Sequence, residues 1–297
     1  MATAYGYASS NKIKSWLWLI AFVLFIVVLG YVFSKAFNLP WLLPLAIMIA
    51  IVQALSSYWW SDRIVLSISR AKEVDKQNHK DLFRLVENLS ISAGLPMPRL
   101  YLIADSAPNA FATGRDPKHA VICVTQGLID KLDKQELEGV LAHEFSHIGN
   151  YDIRLQTIIV VLVGLVALLS DWFIYINIFS NDDSGGNSLF ALVGILLAIL
   201  SPLIAGLIQM AISRKREFLA DASGSLLTRN PEALARALED ISKDKEPLEV
   251  ANKATAHMYF TNPLKDLKGS KRSRFTSLFD THPPIEMRVK ALREMAL

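Results

Sequence analysis

Long apolar runs divide this chain, and polar segments of ordinary globular character separate them. The runs cover residues 16–33, 41–60, 156–179 and 189–212. Each is close to the roughly 20 residues that a helix needs to cross the hydrocarbon core of a bilayer. The first run is too long for the apolar segment of a signal peptide, which indicates a retained anchor. The pattern predicts four membrane spans in two hairpins, with Asp171 near the outer interface of a tilted third span.

The polar segments predict a mixed soluble domain. Between residues 61 and 154, helical spacing over Lys72 to Glu87 precedes three β-prone runs at 99–104, 109–113 and 120–125. Asp133 is predicted to cap a helix that ends near Gly149. A second helix is predicted to begin with Asn230 as its cap and Pro231 as its first residue. The predicted fold class is an α+β membrane protein with four transmembrane helices and a mainly helical cytosolic domain with a small β-sheet.

The predicted division has four parts, which are a transmembrane hairpin over 1–60, half of the soluble domain over 61–154, a second hairpin over 155–213 and the other half over 214–297. Positive residues near the spans are retained in the cytosol. All but Lys35 lie on one side of the predicted spans: Lys12, Lys14, Arg63, Arg70, Lys72, Arg214, Lys215 and Arg216. We therefore expect a multi-pass cell (inner) membrane protein whose termini and soluble domain are cytosolic.

Composition narrows the function classes. Apolar residues make up 52% of the chain and the net charge is only +3. Because the basic residues are dispersed, they do not form the patch that a nucleic-acid partner requires. The single Cys123 excludes an intrachain disulfide scaffold.

The segment His143-Glu144-Phe145-Ser146-His147 carries the main chemical signal. Histidines four residues apart on a helix share a face and can bind one metal ion, and the intervening Glu144 can address a water on that metal. Less than about one random chain in a hundred of this length would contain the pattern. Catalytic zinc takes three protein ligands, so a third is required.

Three arrangements supply a third ligand in zinc peptidases. The metzincin arrangement places a third histidine six residues beyond the second, but that position is Ile153. The intramembrane zinc proteases bury the histidine pair inside a span, which charged neighbours such as Asp133 and Glu136 exclude here. A glutamate on a separate helix, followed four residues later by an aspartate that hydrogen-bonds a ligand histidine, matches Glu217 and Asp221. The alternative, a solvated surface charge at Glu217, stays open.

These motifs resemble the HtpX family of heat-shock membrane metalloproteases and, more distantly, the CAAX prenyl endopeptidases. The resemblance covers almost the whole chain and rests on the histidine motif, on Glu217 to Asp221 and on two further segments, 109–114 and 281–284 with Arg288. It implies a gluzincin-like fold, one Zn²⁺ per chain, and proteolysis of membrane or misfolded proteins at the cytosolic face.

The resemblance also assigns roles to other residues. It implies that an edge strand binds extended substrate through Asn109, Ala110, Phe111 and Ala112, although an ordinary inner strand is the open alternative. His282 and Arg288 could bond the developing oxyanion or cap the last helix. His79, His119 and His257 have no partner at metal spacing and receive no role.

The resulting prediction is a zinc metalloendopeptidase of membrane protein quality control. His143, His147 and Glu217 would hold zinc, Glu144 would act as general base, and Asp221 would orient a ligand imidazole, His143 above all. The expected partners are protein or peptide substrates and the lipid bilayer. The alternatives are a prenyl-protein processing peptidase and a non-catalytic membrane scaffold with a vestigial metal site.

Overall fold

The computed structural model describes residues 4–36, 38–160, 214–244, 246–251, 255–263 and 283–295. Residues 152–160 are helical. The rest of the predicted third and fourth spans lies outside the described residues, as do Asp171 and His282.

The first two predicted spans are helices that pack on each other. Helix α1 covers Ala4–Ala36 and α2 covers Leu42–Trp59. Both are long and apolar enough to cross a membrane, over Ser9–Val28 and Leu42–Trp59, and only 28% and 17% of their side chains are buried in the protein. An apolar helix that is exposed on most of its surface is typical of a helix that faces lipid rather than of a soluble core.

A four-stranded sheet forms one layer of the soluble part. Its strands are β1 (Lys72–Glu73), β2 (Arg99–Ile103), β3 (Ala110–Thr113) and β4 (Val121–Thr125), in the order β1-β2-β4-β3. Strands β2 and β4 are parallel, and the other two pairs are antiparallel. The predicted strands are therefore present, and β3 lies at an edge.

Helices make up most of the soluble part. They are α3 (Ser61–Ile68), α4 (Lys80–Ala93), α5 (Gln126–Lys131), α6 (Lys134–Gly149), α7 (Arg214–Thr228), α8 (Pro231–Lys243) and α9 (Ile285–Met295). One buried apolar cluster joins the inner face of the sheet to α4, α6, α8 and α9, for example through Ile122, Leu141 and Leu238. Residues from both soluble segments thus share one core.

The helix predicted over Lys72 to Glu87 is displaced in the structure. Val74 continues the edge pairing of β1 by donating its N–H to the carbonyl of Leu100 at 3.0 Å. The Asp75 carboxylate then accepts from the N–H of Gln77 and stabilises a turn. Helix α4 begins only at Lys80 and ends at Ala93, where Gly94 caps it with a φ of 64° that suits glycine. Helical spacing alone did not reveal the strand pairing that delays the helix.

Helix α6 begins where the sequence predicts. The Asp133 side chain accepts from the N–H of Glu136 at 2.8 Å, and the Glu136 carboxylate accepts from the N–H of Asp133 at 3.0 Å. This reciprocal cap satisfies two donors that the first turn leaves without partners. Asn230 caps α8 in a similar way, with Pro231 in its first turn. Both predicted helix starts are confirmed.

Helices α6 and α7 approach each other at Gly224. A Cβ atom at this position would lie 2.8 Å from the backbone nitrogen of His143 and 3.0 Å from its Cα. These are backbone atoms, so the helices would have to separate to accept any side chain. Gly224 therefore sets the distance between the helix of His143 and the helix of Glu217.

We expect Gly224→Ala to destabilise the protein by about 1–3 kcal/mol, because overpacking forces backbone shifts. The control is Leu226→Ala on the same helix, whose side chain is 72% exposed; it should change stability by less than about 0.5 kcal/mol. Unfolding of the detergent-purified proteins measures both effects. Equal losses in the two variants would contradict the close approach at Gly224.

Candidate functional site

Two imidazoles converge on the buried face of α6. His143 and His147 are 1% and 5% exposed, and their Nε2 atoms lie 3.1 Å apart. Glu217 lies in the first turn of α7, with its Oε2 atom 3.6 Å from His143 Nε2 and its Oε1 atom 3.6 Å from His147 Nε2. Ligand atoms from all three residues lie within 4.8 Å of one another, so the cluster could hold a metal ion.

The outer nitrogens of the two rings face carboxylates. His143 Nδ1 lies 2.9 Å from Asp221 Oδ1, and His147 Nδ1 lies 3.0 Å from Asp152 Oδ2. Since an ionised carboxylate can only accept, each Nδ1 is the protonated nitrogen. The two Nε2 atoms then face each other and Glu217, and their lone pairs would be available to a bound cation. This donor set fits a cation such as zinc, for which imidazole and carboxylate are common ligands.

Arg288 lies beneath the cluster. The side chain is fully buried, and its guanidinium donates to both Asp221 oxygens at 2.6 and 2.8 Å. It also donates to the carbonyl of Phe260 at 3.1 Å, and Nη1 lies 3.7 Å from Glu217. These contacts favour a role for Arg288 in positioning Asp221. The two other roles considered from the sequence, an oxyanion contact and a helix cap, are less well supported.

Burial and neighbouring charges shift the acidities of the cluster. Burial lowers the pKa of His143 to about 4 although Asp221 opposes the shift. For His147, burial acts to lower the pKa, but Asp152 and Glu217 outweigh it and raise the value to about 9. Burial acts to raise the pKa of Asp221, but the charge and hydrogen bonds of Arg288 lower it to about 2. The negative charges of Asp152 and Glu217, which favour a proton on His147, would also favour a metal cation beside this ring.

Glu144 connects the helix to the edge strand. Its side chain is 2% exposed and accepts a hydrogen bond from the backbone N–H of Ala112 in β3. Burial raises the pKa of Glu144 to about 7, and the nearby Glu217 adds to the shift. A carboxyl group with this pKa can take up and release a proton at neutral pH.

The predicted substrate residues at the edge strand have unequal surroundings. The Asn109 side chain donates to the carbonyl of Thr261 at 3.1 Å and accepts from its N–H at 3.2 Å. The Ala110 carbonyl accepts from the N–H of Phe260 at 2.8 Å. The Phe111 ring packs edge to face on Tyr259, with centroids 5.1 Å apart. Segment 255–263 therefore covers the first part of this edge, and further along it the Ala112 N–H bonds Glu144.

Three residues of the site were not predicted from the sequence: Asp152, Asn11 and Phe260. Asp152 follows His147 by five residues, directly beyond the end of α6, and this spacing was its only local signal. Asn11 reaches the same carboxylate from α1, at 2.7 Å. The Phe260 ring packs edge to face on His143, with centroids 4.9 Å apart. His79 and His119 lie outside the metal cluster, as expected.

Comparisons with known protein sequences place this chain in one family. Residues 76–296 match Peptidase family M48. A Protease HtpX homolog of Tropheryma whipplei (strain Twist) is 42% identical over 98% of this chain and 98% of its own. Another from Dictyoglomus turgidum is 43% identical over 99% of this chain and 95% of its own. The crystal structure of S. mikatae Ste24p gives a TM-score of 0.49 at 20% identity, over 94% of this chain and 67% of that chain.

The buried Arg288 and Asp221 pair yields a stability prediction. Arg288→Met leaves the Asp221 carboxylate buried without its cation, and we expect a loss of about 3–5 kcal/mol. The control is Arg293→Met on the same helix, because Arg293 pairs with Glu232 and Glu239 at the surface. Its loss should be much smaller, because solvent screens an ion pair at the surface. Unfolding in detergent with a chelator present tests this, and equal losses would contradict it.

The raised pKa of Glu144 makes the stability of the metal-free protein depend on pH. Below the usual value of 4.5, the carboxyl is protonated in both the folded and the unfolded state. Between 4.5 and about 7 the unfolded chain ionises first, so parental stability falls with rising pH, and above 7 the loss is complete. We expect Glu144→Gln to gain stability over the parent across this window. Melting in detergent with chelator tests this; a pH-independent difference would contradict it.

Proposed function

Because this chain belongs to Peptidase family M48 and to the HtpX proteases, we propose that it is a zinc-dependent membrane endopeptidase acting at the cytosolic face. Its substrates would be membrane or misfolded proteins. The observation that carries the proposal is the convergence of His143, His147 and Glu217 beside Glu144, at the edge of a β-strand.

His143, His147 and Glu217 would hold the zinc ion. When bound, zinc supplies a Lewis acid that lowers the pKa of water to about 7. Three protein ligands leave one position open, which is typical of catalytic rather than structural zinc. Within the described part of the chain, these three residues form the metal-binding cluster, with no fourth ligand in it. This argues against a closed, purely structural site.

Glu144 is the group that moves the proton. Its raised pKa near 7 allows it to accept a proton from the attacking water and return it to the leaving amine. The N–H of Ala112 orients the carboxylate by hydrogen bonding. Asp221 orients His143, and Arg288 in turn holds Asp221. The chain thus provides a general base at a site where a scissile bond can be positioned.

Strand β3 offers the binding surface for an extended peptide. Its outer edge carries the backbone groups of Ala110 and Ala112, because residues 109, 111 and 113 face β4. Phe260 already bonds the Ala110 carbonyl and Glu144 already bonds the Ala112 N–H, so an added peptide strand would pair with the Ala112 carbonyl. That position is next to Glu144. The edge of β3 therefore supports a role of residues 109–112 in substrate binding. Asn109 holds segment 255–263, which covers the first part of that edge.

The membrane location supports substrates that arrive along or out of the bilayer. Asn11, within the candidate span Ser9–Val28, hydrogen-bonds Asp152, which in turn bonds His147. The proposed metal site is thus two hydrogen bonds from the end of a membrane helix. The positive residues near the spans favour the cytosolic side for this end. A site so placed suits quality control of membrane proteins.

The decisive experiment compares the detergent-purified parent with Glu144→Gln. We expect about one zinc per chain in both, with cleavage of unfolded casein by the parent and loss of about 100-fold or more in the variant, since a general base contributes about 10²–10⁴-fold. The control is Glu138→Gln, which removes the same charge from the same helix and should retain activity.

The other outcomes separate the competing functions. Zinc in both proteins without cleavage of any unfolded or membrane substrate would favour the non-catalytic scaffold. Cleavage restricted to prenylated peptides would favour prenyl-protein processing. A parent that binds no zinc would refute the proposal directly.

A further inference from the structure

The carboxylate of Asp152 links His147 to the membrane-spanning part of the protein. Asp152 is 1% exposed and begins the helical residues 152–160. Its Oδ2 atom accepts from His147 Nδ1 at 3.0 Å. Its Oδ1 atom accepts from Asn11 at 2.7 Å, and Arg216 Nη1 lies 3.4 Å away. Both oxygens therefore have partners, and one of these comes from helix α1.

Asn11 is an unusual residue for the start of a membrane helix, because it is polar and only 3% exposed. Its amide nitrogen donates to Asp152 Oδ1 at 2.7 Å and to the carbonyl of Asn150 at 2.9 Å. Two acceptors from one short segment, 150–152, thus receive the two N–H groups of one side chain. This geometry fixes both the position of α1 and the rotation of the Asp152 carboxylate.

We propose that Asn11 and Asp152 are positioning residues for His147, so that metal retention depends on the seating of the first membrane helix. The proposal rests on the zinc site of the proposed function. An outer partner of a ligand imidazole fixes its ring orientation and raises its affinity for metal. Asn11 acts one bond further out, by preventing the carboxylate from rotating away from His147 Nδ1. The end of α1 is then part of the metal site rather than only an anchor.

Ser15 distinguishes this role from ordinary helix packing. It lies one turn beyond Asn11 on α1 and is 1% exposed. Its hydroxyl donates to the carbonyl of Asn11 at 2.8 Å, within the same helix. Ser15→Ala therefore disturbs a buried polar group of α1 without removing a partner of Asp152. If only the loss of a buried polar group from α1 mattered, the two substitutions would have equal effects.

The first experiment measures zinc release to a chelator from the full-length, detergent-purified parent, Asn11→Ala and Ser15→Ala. We expect Asn11→Ala to release zinc about tenfold faster, at the low end of the range of about 10–100-fold for outer partners of metal ligands. Asp152→Ala should lie higher in that range, and Ser15→Ala should match the parent. Melting temperatures recorded in chelator show whether the variants differ in folding without zinc.

A donor and acceptor exchange tests the contact directly. Asn11→Asp places two carboxylates against each other, and Asp152→Asn removes the negative charge that faces His147, so each should accelerate zinc release. In the double variant Asn11→Asp/Asp152→Asn, the amide at position 152 can accept from His147 and donate to the carboxylate at position 11, so release should be slower than in Asn11→Asp alone. This rescue requires direct pairing and does not follow from a general loss of stability.

The outcomes keep the two proposals apart. A parent that binds no zinc refutes the proposed function. A parent that retains zinc, with Asn11→Ala releasing it no faster than Ser15→Ala, overturns the role of Asn11 and leaves the zinc site intact. Single and double exchange variants with equal release rates also overturn it.

Discussion

Four carboxylates buried within one cluster are the constraint on which the rest of this structure depends. Glu144, Asp152, Glu217 and Asp221 are each no more than 3% exposed. Burying an ionised carboxylate is unfavourable unless a cation and hydrogen bonds compensate for lost hydration. Arg288 and Arg216 supply part of that compensation, and the converging Nε2 atoms of two histidines mark the place of a further cation. The packing around the cluster follows from this requirement.

The elements around the cluster hold it in place from several directions. Gly224 lets α7 reach α6, which brings Glu217 and Asp221 to the two imidazoles. Phe260 packs on His143 and accepts from Arg288 with its carbonyl. Because both candidate ligand imidazoles have carboxylate partners, their orientation does not depend on a metal alone. Such a preformed site would bind a cation with less loss of conformational freedom.

The same arrangement connects chemistry to the membrane. Strand β3 carries the proposed peptide edge on one side of Glu144, and α1 reaches Asp152 on the other side of the cluster. Under the proposed function, a chain detached from its bilayer would lose part of the support of its metal site. Retention of zinc would thereby be tied to correct insertion of α1.

Local patterns in the sequence were sufficient for several elements. The length of the uncharged apolar runs predicts helices α1 and α2. Asp133 as a capping residue predicts the start of α6, and the i, i+4 spacing places His143 and His147 on one face of that helix. These features depend on near neighbours along the chain. The strand pairing that delays the start of α4 until Lys80 depends on more distant residues. So does the environment of Asp152, because its partner Asn11 is separated from it by 141 residues. Contacts between distant residues, such as those of Gly224, Phe260 and Arg288, are decided by packing, and only the tertiary structure reveals them.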